Sequence, residues 1–146
     1  DLVRRGIGEP LPDITIDPRL IEISFGVYEG RLHADLAAGE MAIAGERDAS
    51  FWHFNPPEGE SYDDLATRIE AMLANEAASL VESGGASAED IDSAMKLGLN
   101  FPRGPFESAR ARGIPLILEA LAQLEVRAPA ELKGRYVASP VLAAMA

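Results

Sequence analysis

Ser61-Tyr62-Asp63-Asp64-Leu65-Ala66-Thr67-Arg68-Ile69-Glu70-Ala71-Met72-Leu73-Ala74-Asn75-Glu76-Ala77-Ala78-Ser79-Leu80-Val81-Glu82-Ser83 is the stretch on which the fold turns. Ser61 has the side chain of an N-cap, and Asp63 and Asp64 stand where the positive end of a helix dipole favours carboxylates. Leu65, Ile69, Met72, Leu73, Leu80 and Val81 recur mostly at three- and four-residue steps, with Ala77 and Ala78 between them. That spacing predicts a helix over 61–83 with one apolar stripe. Gly84-Gly85 ends it.

Downstream the same grammar repeats. Ser87 caps a second helix over 88–97, with Glu89 and Asp90 in its first turn and Ile91, Ala94, Met95 and Leu97 on one face; Gly98 is expected to close it. Asn100-Phe101-Pro102-Arg103-Gly104-Pro105 reads as a rigid loop. Pro102 and Pro105 fix φ there, and Gly104 is expected to take an angle closed to other residues. A third helix spans 115–125 through Ile117, Leu118, Leu121 and Leu124, and Ser139-Pro140 starts a short last one through Val141, Leu142 and Met145. Apolar faces of the 61–83 helix should bury against 88–97 and 115–125.

Upstream the signals weaken. Ile14-Thr15-Ile16 is a short β-prone run closed by Asp17-Pro18. Leu20 to Tyr28 alternates apolar and polar residues as a strand or an extended loop would. Leu32 to Ile43 is Ala-rich and helix-prone, and Phe51-Trp52-His53-Phe54 is an aromatic knot before the Pro56 to Glu60 loop. The β-prone segments can form at most a short hairpin, marginal by itself. Residues 1–60 are therefore expected to be the poorly cored part, lying against the helical unit and cut first by protease between Gly30 and Gly59. The expected class is mainly α: a compact helical domain over 61–146 behind a loop-rich segment over 1–60.

The 146 residues, 47% apolar and 25% charged, suit a globular chain. The absence of cysteine excludes disulfides, thiolate zinc, iron–sulfur clusters and a cysteine nucleophile. A net charge of −11 argues against a nucleic-acid partner. No uncharged apolar run approaches the ~18 residues of a membrane helix. With no visible signal peptide and Asp1 as first residue, the chain is expected to be a processed or excised piece and cytoplasmic.

Motifs for chemistry are sparse. Neither His33 nor His53 has a Glu or second His at i+3 or i+4, so no helical metal pair exists and both are expected to be structural or solvated. Gly6-Ile7-Gly8 lacks the third glycine of a dinucleotide fingerprint. There is no P-loop and no nucleophile elbow. Glu22, in an otherwise apolar alternation, is the candidate general acid, against the simpler reading of a solvent-facing residue.

Two resemblances give these patterns a context. Asp17-Pro18-Arg19-Leu20, Glu22 to Gly30, Phe51-Trp52 and Pro56-Pro57-Glu58-Gly59-Glu60-Ser61 resemble an internal fragment of the histidine phosphatase (phosphoglycerate mutase-like) superfamily over about 11–67. Here Tyr28 stands for the family's usual Trp and Glu58 for a glycine. The resemblance implies that Glu22 is the general acid of phosphoryl transfer. The family's nucleophilic His, its second catalytic His and its phosphate-clamping arginines have no counterpart. A phosphatase lacking its nucleophile is not expected to turn over.

Met72 to Ala77, Ala86 to Glu107, Arg135-Tyr136 and Ser139-Pro140-Val141-Leu142 resemble the C-terminal helical domain of 3-hydroxyacyl-CoA dehydrogenases over about 67–146. The resemblance implies a 6-phosphogluconate dehydrogenase C-terminal-like fold that dimerises and forms one wall of an acyl-CoA cleft. Asn100, Phe101 and Arg103 become the candidate substrate-binding residues, Arg103 toward a CoA phosphate. The family's NAD-binding, catalytic domain has no counterpart here, so no cofactor is expected in this chain. Thr67 replaces a frequent substrate-contacting Asn, Arg112 a common apolar residue and Pro115 a capping Asp. The two resemblances meet inside the 61–83 helix, as in a natural fusion, a recombinant chain or a generated sequence. The leading expectation is a helical acyl-CoA-binding and dimerisation module, not catalytic alone. The alternatives are a phosphatase-like enzyme acting through Glu22 and a non-functional chimera.

Overall fold

The computed structural model describes residues 22–31 and 54–146. Among these, five helices follow in order: α1 (Tyr62–Glu82), α2 (Ala88–Leu99), α3 (Pro105–Arg112), α4 (Ile114–Arg127) and α5 (Pro140–Ala143). No strand occurs among the described residues. The β-prone run at 14–16, the helix-prone stretch at 32–43, the Phe51-Trp52-His53 part of the aromatic knot and both histidines lie outside the described residues.

The helix starts are set locally. Ser61 Oγ accepts from Asp64 N at 3.1 Å and the Asp64 carboxylate accepts from Ser61 N at 2.9 Å, a reciprocal capping box. Ser87 Oγ accepts from Asp90 N at 3.1 Å and Ser139 Oγ from Val141 N at 3.3 Å. The expected end of α2 is corrected. The helix runs through Gly98 to Leu99, and Asn100 stops it with φ 56° and ψ 32°. Asparagine is one of the few residues that tolerate this left-handed cap.

The loop expected over Asn100 to Pro105 is followed at once by a helix that was not expected, because α3 begins at Pro105. Within α3 the Glu107 side chain serves only the Gly104 amide, and the amides of Phe106 and Glu107 have no local side-chain acceptor. Asp92 of α2 supplies it from another helix: its two carboxylate oxygens accept from Phe106 N at 2.9 Å and Glu107 N at 3.2 Å. Gly104 has an ordinary φ of −75°, not the special angle expected of it. Glycine is needed there because a Cβ would fall 2.3 Å from the Asp92 backbone.

α1 is the central helix and touches each of the other four. Its buried face is not the expected large-residue stripe. Ala71, Ala74, Ala77 and Ala78 form it, whereas Ile69 and Leu80 are 43% and 47% exposed. Small side chains let neighbouring helix axes approach closely. The bulk of the core comes from the neighbours: Phe106 of α3, Ile117 and Leu121 of α4, and Leu142 of α5 are fully buried. Leu97, assigned to an apolar face of α2, is 88% exposed. Asn75, buried within α1, donates to Val137 O at 3.1 Å and accepts from Ser139 N at 2.8 Å, which fastens the C-terminal segment to the centre.

Residues 22–31 run over the 57–60 loop. Val27 N donates to Pro57 O at 3.0 Å and Glu60 N to Ser24 O at 2.9 Å. Gly26 makes this approach possible, since its φ is +53° and a Cβ would lie 2.0 Å from Pro57 O. Glu58, in the place of the expected glycine, sits at φ 60°. The left-handed conformation costs a non-glycine residue about 1–2 kcal/mol.

Candidate functional site

The corner between α2 and α3 packs against α1 and leaves a groove of about 290 Å³. Ala66, Ile69, Glu70 and Leu73 of α1 form one side, and Phe101, Pro102, Arg103, Pro105 and Ser108 the other. The structure thus brings Phe101 and Arg103 together in one cleft. Asn100 does not line it; its role is the left-handed cap that turns the chain into the corner. Phe101 is 38% exposed, so its ring is a wall of the groove and not a buried anchor, while Phe106 is fully buried.

The corner is held rigid by paired carboxylates. Glu107 accepts from Gly104 N at 3.1 Å and pairs with Lys96 Nζ at 2.5 Å. The hydrogen bond from Lys96, followed by that from Gly104, holds the Glu107 carboxyl below the usual carboxylate range. On the other side of the groove, Glu70 is paired with Arg112, whose Nη1 also reaches Asp63 at 2.8 Å and Thr67 Oγ1 at 3.0 Å. Burial alone would lower the Arg112 pKa, but the hydrogen bonds to Asp63 and Glu70 outweigh it and raise it. Thr67, buried and donating to Asp63 O at 2.7 Å, faces this cluster. Arg103 differs from both cations: it makes no ion pair or hydrogen bond among the described residues.

Glu22 is exposed, and its carboxylate makes no hydrogen bond or ion pair among the described residues. Only its main-chain carbonyl is engaged, accepting from Arg68 Nη2 at 3.3 Å. Arg68 is otherwise bound to Glu60, at 2.9 Å through Nε and 2.7 Å through Nη2. A second, more polar cleft of about 420 Å³ lies beside this pair, between the 55–60 loop, the start of α1 and α4. Sequence reasoning did not anticipate it, because Glu119, Gln123 and Arg127 of α4 share a cleft with the loop only through the packing of α4 on α1. No cluster of three or more His, Asp or Glu side chains suited to a metal occurs among the described residues. None of their helices is long and apolar enough to cross a membrane.

Comparison with known proteins gives two matches. Residues 65–146 match the family described as 3-hydroxyacyl-CoA dehydrogenase, C-terminal domain. Residues 2–84 match the histidine phosphatase superfamily (branch 1). Both therefore include most of α1. A 3-hydroxyadipyl-CoA dehydrogenase of Escherichia coli (strain K12) is 43% identical over 61 residues, 42% of this chain and 13% of that protein. A 3-hydroxybutyryl-CoA dehydrogenase of Clostridioides difficile is 36% identical over 86 residues, 59% of this chain and 30% of that protein. The Danio rerio protein named probable fructose-2,6-bisphosphatase TIGAR A is 34% identical over 94 residues, 60% of this chain and 35% of that protein. The chain thus spans about a third or less of the length of these relatives.

Proposed function

The chain belongs to the 3-hydroxyacyl-CoA dehydrogenase C-terminal domain family through residues 65–146 and to branch 1 of the histidine phosphatase superfamily through residues 2–84, and from that premise we propose that it is a helical acyl-CoA-binding module that pairs with a second copy and does not turn over by itself. The observation that carries this reading is the groove. An apolar cleft walled by Ile69, Leu73 and Phe101 suits an acyl chain, and Arg103 at its edge suits an anionic group of the carrier. The names of the dehydrogenase relatives support a short 3-hydroxyacyl thioester as the ligand.

The described residues do not suit a nicotinamide dinucleotide. They include no strand, hence no strand–turn–helix unit to present a helix N-terminus to the pyrophosphate. The reading therefore assigns redox chemistry on the acyl group to none of the described residues. Leu97 and Leu99, 88% and 62% exposed at the end of α2, support a self-association surface beside the groove.

Calorimetric titration with 3-hydroxybutyryl-CoA tests the reading. Saturable binding that weakens in Arg103→Ala, with thermal stability unchanged, is the expected result. No binding, or binding indifferent to Arg103, contradicts it. Sedimentation equilibrium checks the pairing, for which a monomer at all working concentrations would count against the second copy.

A further inference from the structure

The charges and the lining of the groove also suit a ligand that lacks the coenzyme A carrier. We propose that the groove binds a free aliphatic carboxylate of medium chain length, with the chain along Ile69 and Leu73 and the carboxylate on Arg103. The inference rests on the same groove as the preceding reading and names a different ligand for it.

Three observations carry it. The first is the accounting of charges. Glu70 is the one carboxylate among the described lining residues, and Arg112 already holds it. Glu107, close enough to Arg103 to interact with it electrostatically, is held by Lys96. Arg103 is left as the cation whose donors have no partner among the described residues. A guanidinium presents a planar pair of donors that matches a carboxylate, and it keeps its charge at any working pH. The second is the lining, which apart from Glu70, Arg103 and Ser108 is hydrocarbon from Ala66, Ile69, Leu73, Phe101 and two prolines. Burying methylene groups there is favourable by the ordinary hydrophobic effect. The third is size. A groove of about 290 Å³ has room for an aliphatic chain with a small head group.

Rigidity adds to the argument. Both walls are fixed before any ligand arrives, one by α1 and the other by the Asp92 bonds to the start of α3. A preformed cleft costs the ligand less ordering than a mobile one.

The test is calorimetric titration of the full chain with sodium octanoate, octylammonium chloride and 3-hydroxybutyryl-CoA, repeated on Arg103→Gln and Ile69→Glu. Arg103 and Ile69 are exposed, so both variants should fold, which far-ultraviolet circular dichroism checks. Octanoate should bind saturably, Arg103→Gln should weaken it by about tenfold or more, and Ile69→Glu should abolish it. Octylammonium, with the same chain and the opposite head, should not bind. Absence of octanoate binding, equal binding of the two amphiphiles, or an Arg103→Gln affinity equal to wild type overturns the proposal. The thioester arm separates the two readings. If 3-hydroxybutyryl-CoA binds and octanoate does not, this inference fails and the acyl-CoA reading stands. The reverse outcome keeps the carboxylate site and removes the acyl-CoA module.

Discussion

Phe106 and Phe101 are five residues apart and do different work. Phe106 is fully buried under α1, whereas Phe101 keeps a free face in the groove. Truncating the first to alanine should leave a cavity and cost about 3–5 kcal/mol, a large part of the usual 5–15 kcal/mol of a domain. Denaturant unfolding of Phe106→Ala measures this; a midpoint equal to wild type would show that the ring does not anchor the corner. Glu107 makes a pH-dependent contribution. Its folded pKa lies below the ordinary carboxylate range, so its bonds to Lys96 and Gly104 stabilise the fold above that range. They are lost as the pH falls through it and down to the lowered folded value. Glu107→Gln should therefore be less stable than wild type at neutral pH, and the gap should close on acidification. Unfolding midpoints at a series of pH values decide this, and a gap that stays constant would remove Glu107 from the account.

At the scale of elements, the signals that are local in sequence were legible and those made across the fold were not. Ser61, Ser87 and Ser139 cap their helices because the partner N–H lies two or three residues away, within reach of a spacing argument. α3 has only Pro105 and Glu107 as local signals, with no N-cap side chain at Gly104. The acceptor for its Phe106 and Glu107 amides is Asp92, fourteen residues before Phe106, and its body Pro105–Arg112 carries two arginines in place of an apolar stripe. The face of α1 was misread for a related reason. Large apolar residues and alanines both recur at helical spacing, and only close packing of several helices on one puts the alanines inside. Ile69 and Leu73 are consequently groove residues. Of the residues that line the groove, Phe101 and Arg103 were named through the resemblance, while their α1 neighbours were hidden in the supposed core stripe. The borrowed cap can be checked directly. Asp92→Ala leaves the Phe106 and Glu107 amides without their acceptor and should cost about 1–3 kcal/mol. Asp92→Asn keeps one acceptor oxygen and should cost less. Equal stability of Asp92→Ala and wild type would mean that α3 forms without the cap.

For the whole molecule, α1 is where the two family matches overlap, and it serves both parts of the described structure. Its first turns hold Arg68, which pairs with Glu60 and reaches the Glu22 carbonyl. Its middle carries the alanine face and the groove, and Asn75 receives the C-terminal segment. A helix compatible with both families lets the phosphatase-like loop cap and brace a dehydrogenase-like bundle without disturbing its core. The central proposal is that this bundle binds an acyl-CoA in the groove at the α2–α3 corner. Amide chemical-shift mapping by nuclear magnetic resonance during titration with 3-hydroxybutyryl-CoA tests it most directly. The account predicts saturable shifts centred on Ile69, Leu73, Phe101 and Arg103, with the amides of the 55–60 loop unmoved. Saturable shifts centred on the polar cleft between that loop and α4, or no saturable shifts at all, would contradict it.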